Sequence, residues 1–514
     1  MKRQTQLVAA LAAATLLLAG CSSSAQPGAG DTPESAGGSI VVGAADNISQ
    51  LNPAVTTLAF ETTLYPLLWN GLTKQIEDGS VAGDIATEWS SNDELTEWTF
   101  TLGEGISFHD GTELVAEDVV QAFEYYLDPN TGAKAFPKIK AISDVSAPDD
   151  RTVVINTETP QSVLPLAITD VKIIDIDTLD EINVTPNGTG PFRLADFVPD
   201  DHVDLVRNEE YFGEASPLEA INIVKVADST AATTALRAGE LDVMFNLSYA
   251  DAEKFRASED FTVISAEPFH WTQTWKIDTT SPPFSDVRAR QALSYATDRD
   301  TILEKAYYGF GITAPTNNPI ASTADFFAPE GLTDYTYDLD KAKALFAEAG
   351  VNEGDSLTWW GPAGMQPEKV AAAEILKDSL AQIGINLEIV LKPVAEWTPA
   401  FIPTGQSFPG YIVPTGSAAP YDPAYLFQWA RAGACECNWD APEFEQAYDD
   451  ALAIGDSAER AEAFYTLQQI ISEEVPVVIP LITSNLSASS ADVVGIWSNG
   501  AGTSLHLESA SIEG

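Results

Sequence analysis

The chain has 514 residues, of which 45% are hydrophobic and 9% aromatic, and it carries a formal net charge of −50. This length exceeds the roughly 250–300 residues at which a single hydrophobic core stops growing, so two or three domains are expected. The strongly acidic composition excludes nucleic acid as a partner, because nucleic-acid binding depends on clustered Lys and Arg side chains.

The first twenty residues have the order of an export signal. Lys2 and Arg3 precede an apolar run over residues 7–18. This run is shorter than the ~20 residues that a membrane-spanning helix needs. It ends in Leu-Ala-Gly directly before Cys21, and the motif resembles a bacterial lipobox, in which the cysteine is lipidated and becomes the first residue of the mature chain. An ordinary cleaved signal with an incidental cysteine is the alternative.

Residues 21–38 are rich in Ser, Pro, Gly and Ala, and this composition predicts a flexible tether. Lipid and tether together would hold the folded part of the chain in water outside the cytoplasm. The expected location is therefore the cell membrane, on its periplasmic side or outer face.

Beyond the tether, segments rich in β-branched and aromatic residues alternate with amphipathic helical segments, which predicts an α/β fold with mostly covered sheets. Asp338 and Gly350 are the expected N-cap and end of one helix. Strands are predicted at residues 39–45, 97–102, 152–157, 220–226 and 386–392. Helices are predicted at residues 287–307, 339–349, 367–383 and 458–472.

Two changes of pattern predict boundaries between lobes. Strand-like sequence gives way to a long helix at residues 279–284, and a helix runs out through Pro476 into an apolar segment that ends near residue 481. The residues after it are too few for a domain, so they are expected to return to the first lobe. Several crossings between two lobes would form a hinge, and a cleft between lobes is a common place for a ligand.

The sequence contains no enzyme signature such as Gly-x-Ser-x-Gly, a phosphate loop or His-Glu-x-x-His. His109-Asp110-Gly111 could be imagined as a base and its orienting acid, but Asp-Gly after a strand is first a tight turn. The four histidines are separated in sequence, namely His109, His202, His270 and His506. We therefore expect no catalysis, no metal site and no cofactor.

Two cysteines remain after Cys21, and a single residue separates them. Cys435 and Cys437 lie in Ala-Cys-Glu-Cys-Asn. A disulfide is permitted outside the cell, although such a ring is strained. A metal or redox role is the alternative, but no histidine lies near enough in sequence to complete a zinc set. The sequence does not decide whether the two cysteines are bonded.

Several short motifs follow one another along the chain. They are DIATEW (84–89), WTFTL (98–102), GISFHDGT (105–112), AEDV (116–119), GTGPF (188–192), RNEEYF (207–212), AGELDV (238–243) and PFSDVRARQAL (283–293). Their order resembles the peptide/nickel/opine family (family 5) of solute-binding proteins of ABC importers. The resemblance covers about residues 39–514. Gly103 departs from the pattern, because the family usually carries a basic residue there.

The resemblance implies a two-lobe α/β periplasmic-binding-protein fold (class II, Venus-flytrap), with an extra subdomain inserted in the first lobe. Mapped on this chain, lobe I spans residues 39–275, with the inserted subdomain at about 74–185. Lobe II spans residues 276–480, and residues 481–514 return to lobe I.

The implied function is that of a substrate-binding lipoprotein, expected to act as a monomer. It would capture an oligopeptide in the cleft between the lobes and deliver it to the permease and ATPase subunits of an ABC importer. An oligosaccharide receptor of the same family is the alternative, and a receptor for nickel or a nickel chelate is less favoured. A secreted hydrolase would need a nucleophile and a base that the sequence does not display.

The resemblance also implies residues that border the cleft. Family receptors for peptides use an acidic residue in the segment matching residues 410–423 to pair with the peptide amine. The nearest acid here, Asp422, stands in an Asp-Pro pair typical of a turn, so this anchor is not carried over. The candidate ligand-binding residues are Phe245, Asn246, Trp271, Gln273, Trp275, Trp359, Trp397, Thr415 and Ser417.

Together these side chains would form a wall of flat apolar faces with amide and hydroxyl groups. Such a wall suits an uncharged ligand, for example a hydrophobic or blocked peptide or an oligosaccharide. The alternative for each tryptophan is core packing.

Overall fold

The computed structural model of the chain describes residues 38–45, 48–55, 59–266, 269–324, 326–396, 410–418, 422–431, 437–455, 457–499 and 503–513. The expectations for the export signal, Cys21, Trp397 and Cys435 lie outside these residues. So does the side chain of Ser417, although its backbone is described.

All five predicted strands are confirmed, with bounds that agree within one residue. The strands are β1 Ser39–Ala44, β2 Thr73–Gln75, β3 Val81–Gly83, β4 Ala86–Ser91, β5 Glu97–Leu102, β6 Ile142–Asp149, β7 Thr152–Thr157, β8 Phe192–Val198, β9 His202–Arg207, β10 Ala220–Lys225, β11 Val243–Leu247, β12 Phe261–Ile264, β13 Trp271–Ile277, β14 Ile312–Thr313, β15 Ser356–Pro362, β16 Asn386–Lys392, β17 Tyr411–Ala418, β18 Val477–Val478, β19 Leu481–Thr483, β20 Leu486–Ser490, β21 Val493–Val494, β22 Trp497–Ser498, β23 Leu505–His506 and β24 Ser511–Ile512.

Three of the four predicted helices are confirmed. Asp338 caps one of them by accepting a hydrogen bond from the backbone N–H of Lys341 at 2.9 Å, and Gly350 follows its end with a φ of +84°. The α-helices are α1 Ala59–Leu68, α2 Ala116–Leu127, α3 Phe136–Ile139, α4 Leu164–Ala167, α5 Ser229–Ala238, α6 Tyr249–Arg256, α7 Val287–Tyr295, α8 Arg299–Lys305, α9 Leu339–Glu348, α10 Pro367–Gln382, α11 Pro423–Gln428, α12 Pro442–Leu452 and α13 Ser457–Glu474.

The prediction of one helix over residues 287–307 is wrong, because two helices, α7 and α8, occupy this stretch. Asp298 starts α8 as its N-cap and accepts a hydrogen bond from the backbone N–H of Thr301 at 3.1 Å. Thr297 bonds its hydroxyl back to the carbonyl of Leu293 at 2.8 Å. Short polar side chains compete in this way with the helical backbone pattern.

Lobe I is built on a seven-stranded sheet with the order β12-β20-β11-β1-β10-β9-β8. β1 lies at its centre and pairs in parallel with both β10 and β11. A separate four-stranded sheet, β4-β5-β7-β6, lies next to α2 and within residues 74–185, the stretch expected to form the inserted subdomain. Apolar side chains from both sheets share one core.

Lobe II is built on the second large sheet, with the order β14-β19-β13-β17-β15-β16, and β18 also pairs with β13. Alternate residues of β13 serve opposite faces of this sheet. One face packs on α7, α8, α9 and α10, and the other packs on α11, α12 and α13. The sheet is therefore mostly covered on both faces, as expected, although Leu391 and Tyr411 near one edge are exposed.

Strand pairing shows which sheet each segment near the expected boundaries joins. The whole of β13 pairs with β17, so the chain already belongs to the lobe II sheet at Trp271, before the expected boundary at 275. β19 also pairs with β13, and β20 belongs to the lobe I sheet, so the return crossing lies at residues 484–485 rather than at 480. Strand pairing decides the boundary here, and composition does not reveal it.

Candidate cleft site

The carboxyl ends of the parallel strands of the lobe I sheet lie at one edge of that sheet. β1, β10, β11 and β12 all end there, because β12 and β11 are both antiparallel to β20. β20 begins at the same edge, where Leu486 pairs with Leu247. The two crossing segments therefore leave lobe I at this edge.

The lobe II sheet meets the crossings at a matching edge. β13 begins there with Trp271, which pairs with Ala418 at the end of β17 and with Thr483 at the end of β19. β15 and β16 run parallel to β17 and end on the same side. In open α/β sheets, ligands bind outside the carboxyl ends of the strands. We call the space between these two edges the cleft.

Asn246 stands at the cleft edge of lobe I in an unusual backbone conformation. Its φ is +65°, and the pairing register of β11 shifts between Met244 and Leu247, as at a β-bulge. Non-glycine residues adopt this conformation uncommonly, and asparagine tolerates it better than most. The bulge leaves the Asn246 side chain exposed.

The side chain of Phe245 points to the opposite face from that of Asn246. This corrects the expectation that Phe245 lines the cleft wall. Its side chain is buried in the lobe I core, and its ring meets Phe60 edge-on with centroids 5.6 Å apart. Neighbouring residues of a strand normally face opposite sides, so an exposed Asn246 goes with a buried Phe245.

Trp271 lies at the cleft edge of lobe II and is half-buried. Its indole rests on Gly416 of the neighbouring strand, where a Cβ would lie 2.3 Å from the indole Nε1. Only glycine leaves room for the ring at this position. The arrangement presents a flat aromatic side chain at the end of the sheet.

Polar side chains follow Trp271 along the same part of the sheet. Gln273 donates from Nε2 to the hydroxyl of Thr483 at 3.0 Å, and this hydroxyl lies 3.3 Å from the carbonyl of Trp271. Thr415 shares a 2.6 Å hydrogen bond with Thr274. Gln273 is 5% exposed and lies on the Trp271 face of β13, whereas Thr415 pairs with Thr274 and lies on the opposite face of the sheet. Ser417 follows Thr415 on β17.

Trp275 and Trp359 are core residues, which corrects the expectation that they face the cleft. Trp275 is 3% exposed and Trp359 is fully buried. Their rings meet edge-on with centroids 4.9 Å apart, inside the core under α7, α8, α9 and α10. Both rings therefore pack against helices inside lobe II and do not line the cleft.

Asp422 is occupied by structural bonds. It caps α11 by accepting from the backbone N–H of Ala424 at 2.8 Å, and it forms a buried ion pair with the Arg460 guanidinium. This agrees with the turn role expected of the Asp-Pro pair. The carboxylate therefore has its positive partner within lobe II.

The two crossing segments are tied together at Ser484. Its hydroxyl accepts a hydrogen bond from the backbone N–H of Ala266 at 3.3 Å, and its carbonyl accepts one from the Tyr249 hydroxyl at 2.9 Å.

His270, in the first crossing, is 2% exposed, and burial lowers its pKa to about 4. The imidazole at the hinge is therefore neutral near pH 7. Sequence reasoning missed this group.

His109 takes part in a turn, as predicted. Gly111 has a φ of +90°, and His109 Nε2 lies 3.1 Å from the carbonyl oxygen of Gly190. Burial lowers the pKa of His109.

Cys437 is disulfide-bonded. Within the part of the chain that the structure describes, no group of three or more His, Cys, Asp or Glu side chains could hold a metal ion.

Comparison with known proteins agrees with this architecture. The family model of bacterial extracellular solute-binding proteins, family 5, matches residues 80–434. Heme-binding protein A of Haemophilus influenzae is 27% identical, covering 91% of this chain and 92% of that protein. The glutathione-binding protein GsiB of Escherichia coli K12 is 26% identical, covering 95% of each chain.

Two solved structures show the same fold. HbpA2 from Haemophilus parasuis superposes with a TM-score of 0.80 at 24% identity, covering 92% of this chain and all of the other. The oligopeptide-binding protein AppA from Bacillus subtilis, in complex with a nonapeptide, gives 0.77 at 20% identity, covering 93% and 99%.

The two-lobe α/β fold is that of periplasmic binding proteins, and the matching family model places the chain among solute-binding receptors rather than enzymes. The chain belongs to family 5 of the bacterial extracellular solute-binding proteins, which serve ABC importers and bind peptides or similar ligands outside the cytoplasm. Among the helices of the described ranges, none combines the length and the apolar character that a bilayer crossing requires.

Proposed function

We propose that this chain captures an oligopeptide in the cleft and delivers it to the permease and ATPase subunits of an ABC importer. The observation that supports the proposal is that uncharged side chains lie at the two sheet edges from which the crossing segments leave. Asn246 offers an exposed amide from lobe I, and Trp271 offers a flat aromatic side chain from lobe II. Peptide backbones bind through amides and hydroxyls, and their apolar side chains pack on aromatic rings.

The proposed ligand-contacting set is smaller than the sequence predicted. It keeps Asn246, Trp271, Gln273, Thr415 and Ser417, and Trp397 stays a prediction. Phe245, Trp275 and Trp359 leave the set because they pack in cores.

The peptide class is supported by several relatives. AppA binds a nonapeptide, the Helicobacter pylori protein DppA is in complex with the peptide STSA, and GsiB is named for glutathione, itself a small peptide. The case for an oligosaccharide is weaker than the sequence suggested, because two of the tryptophans proposed for ring stacking lie in a core.

Calorimetric titration tests the ligand class after the protein has been unfolded and refolded to remove any bound molecule. The titrants are tri- to nonapeptides, glutathione, hemin and a set of oligosaccharides. We expect saturable one-to-one binding of peptides. Binding of hemin or a sugar without any peptide would move the receptor to another ligand class.

We also propose that Cys21 carries a lipid that anchors the receptor to the membrane. The support is the lipobox-like Leu-Ala-Gly-Cys motif after an apolar run of signal length. Cys21→Ser should release the protein into the soluble fraction without changing ligand binding. A variant that stays membrane-bound after a high-salt wash contradicts the anchor.

We propose that the mature receptor is a monomer. Sedimentation analysis of the released protein tests this proposal.

A further inference from the structure

The inserted subdomain of lobe I also touches lobe II, away from the crossing segments. We call this the bridging contact and define it by Lys138, Ser162 and Val163 of the inserted subdomain and Tyr425 and Leu452 of lobe II. The backbone N–H of Ser162 donates to the carbonyl oxygen of Leu452, at the end of α12, at 3.3 Å. This is a main-chain hydrogen bond from one lobe to the other.

Val163 supplies the apolar part of this contact. It is 7% exposed, and the other buried members of its hydrophobic cluster, residues 314–482, belong to lobe II. Separating the lobes would return this side chain to water. Burying a valine side chain stabilises a folded arrangement measurably.

Lys138 and Tyr425 supply the polar part. The Lys138 ammonium lies 5.4 Å from the centroid of the Tyr425 ring, within the range of a cation–π interaction. Each partner is held by its own lobe: Lys138 pairs with Asp170, and Tyr425 belongs to α11, whose N-cap Asp422 pairs with Arg460. Burial raises the pKa of Tyr425 well above its ordinary value, so the phenol stays neutral.

We propose that the bridging contact is a latch that holds the lobes together without help from ligand. Its members come from the protein alone, and they lie on elements that no strand pairing joins. The contact adds to the tie at Ser484 and to the packing of α6 on lobe II, where the Tyr249 ring meets that of Tyr307 and Arg256 donates to the carbonyl oxygen of Tyr308. The latch favours the closed form in the ligand-free protein and slows ligand release. This inference is independent of which ligand is bound.

Hydrogen exchange of the Ser162 amide in the full-length, ligand-free protein tests the latch, because this amide loses its partner when the lobes part. The variants are Lys138→Met and Tyr425→Leu, which change one partner in each lobe. We expect each to speed exchange at Ser162 by about threefold to tenfold, the effect of losing one cation–π interaction. Amides of β1 and β10, inside lobe I, should keep their wild-type rates.

Lys140→Met is the matched control, because Lys140 lies two residues further on, is exposed and forms no ion pair in the described structure. It should leave exchange at Ser162 unchanged. The double variant Lys138→Met/Tyr425→Leu should exchange no faster than the faster single variant, because both variants remove the same cation–π interaction and the Lys138–Asp170 pair that Lys138→Met also breaks lies within lobe I.

Three results would overturn the latch. The first is an unprotected Ser162 amide in the wild type, and the second is equal exchange in the wild type and both variants. The third is an equal effect of Lys138→Met and Lys140→Met. If Tyr425→Leu fails to fold, Lys138→Met alone decides, because the Lys138 side chain is partly exposed and its loss leaves no cavity in a core.

Discussion

The indole of Trp271 occupies the space that a Cβ on Gly416 would need. A Cβ there would lie 2.3 Å from the indole Nε1 and 2.9 Å from Cζ2, closer than real Cβ contacts come. The neighbouring strands β13 and β17 thus cooperate to place one aromatic side chain at the cleft edge. A change at residue 416 should therefore act through Trp271.

Gly416→Ala should displace the Trp271 ring and weaken peptide binding about tenfold, since stacking contact area is lost. Calorimetric titration measures the loss. In the double variant Gly416→Ala/Trp271→Ala the collision is absent, so its affinity should equal that of Trp271→Ala alone. A Gly416→Ala protein with wild-type affinity would remove Trp271 from the site.

Trp275→Ala and Trp359→Ala should act on stability rather than on binding. Truncating a buried tryptophan leaves a cavity and costs on the order of 3–5 kcal/mol. Denaturant unfolding measures this loss, and the fraction that stays folded should bind peptide normally. Trp271→Ala is the matched contrast, with weakened binding and a small change in stability. Normal stability with lost binding in Trp275→Ala would return that residue to the cleft.

Asn246 offers a way to separate backbone strain from ligand contact. Asn246→Gly relieves the constraint of the +65° φ and removes the amide, so we expect unchanged stability and weaker binding. Asn246→Ala loses the same amide but strains the backbone, which costs about 1–2 kcal/mol of stability. Equal, undiminished affinity in both variants would show that the amide does not contact ligand.

Because of His270, the free energy of unfolding of the protein should fall as the pH is lowered. Burial holds its pKa at about 4 in the folded protein, below the 6.5 of an exposed imidazole. Between these values the unfolded chain binds the proton and the folded protein does not. Wild-type protein should therefore lose roughly 3 kcal/mol relative to His270→Gln as the pH falls from 7 to 4. A difference between the two proteins that is constant over this range contradicts the assignment.

His202 provides a control of opposite sign. Hydrogen bonds to Asp201 and Asp196 raise its pKa. Its contribution is therefore present at pH values below that of a free imidazole and is lost as the pH rises through the raised pKa. His202→Gln should destabilise the protein more at pH 5 than at pH 8. The same unfolding measurements at both pH values check this.

The sequence predicted elements well where local signals decide them. Asp338 and Gly350 marked the ends of α9 because capping is a local interaction. The break between α7 and α8 carried a similar signal at Asp298, which the continuous apolar spacing around it concealed. The prediction joined the two helices because it weighed periodicity above capping.

The site was harder to predict, because burial depends on partners that are distant in sequence. Trp271 and Trp275 share one face of β13 by strand alternation, yet only Trp275 lies under helices. No local pattern distinguishes the two. Lys138 and Tyr425 likewise come into contact only because the two lobes pack against each other. Sequence reasoning therefore missed the bridging contact.

The central claim is that the cleft between Asn246 and Trp271 binds peptide. The most direct measurement is calorimetric titration of one high-affinity peptide into the wild type and into Asn246→Gly/Trp271→Ala, with Lys140→Met as a surface control. We predict saturable one-to-one binding in the wild type and the control, and a loss of at least about a hundredfold in the double variant. Wild-type affinity in a folded double variant would contradict the account.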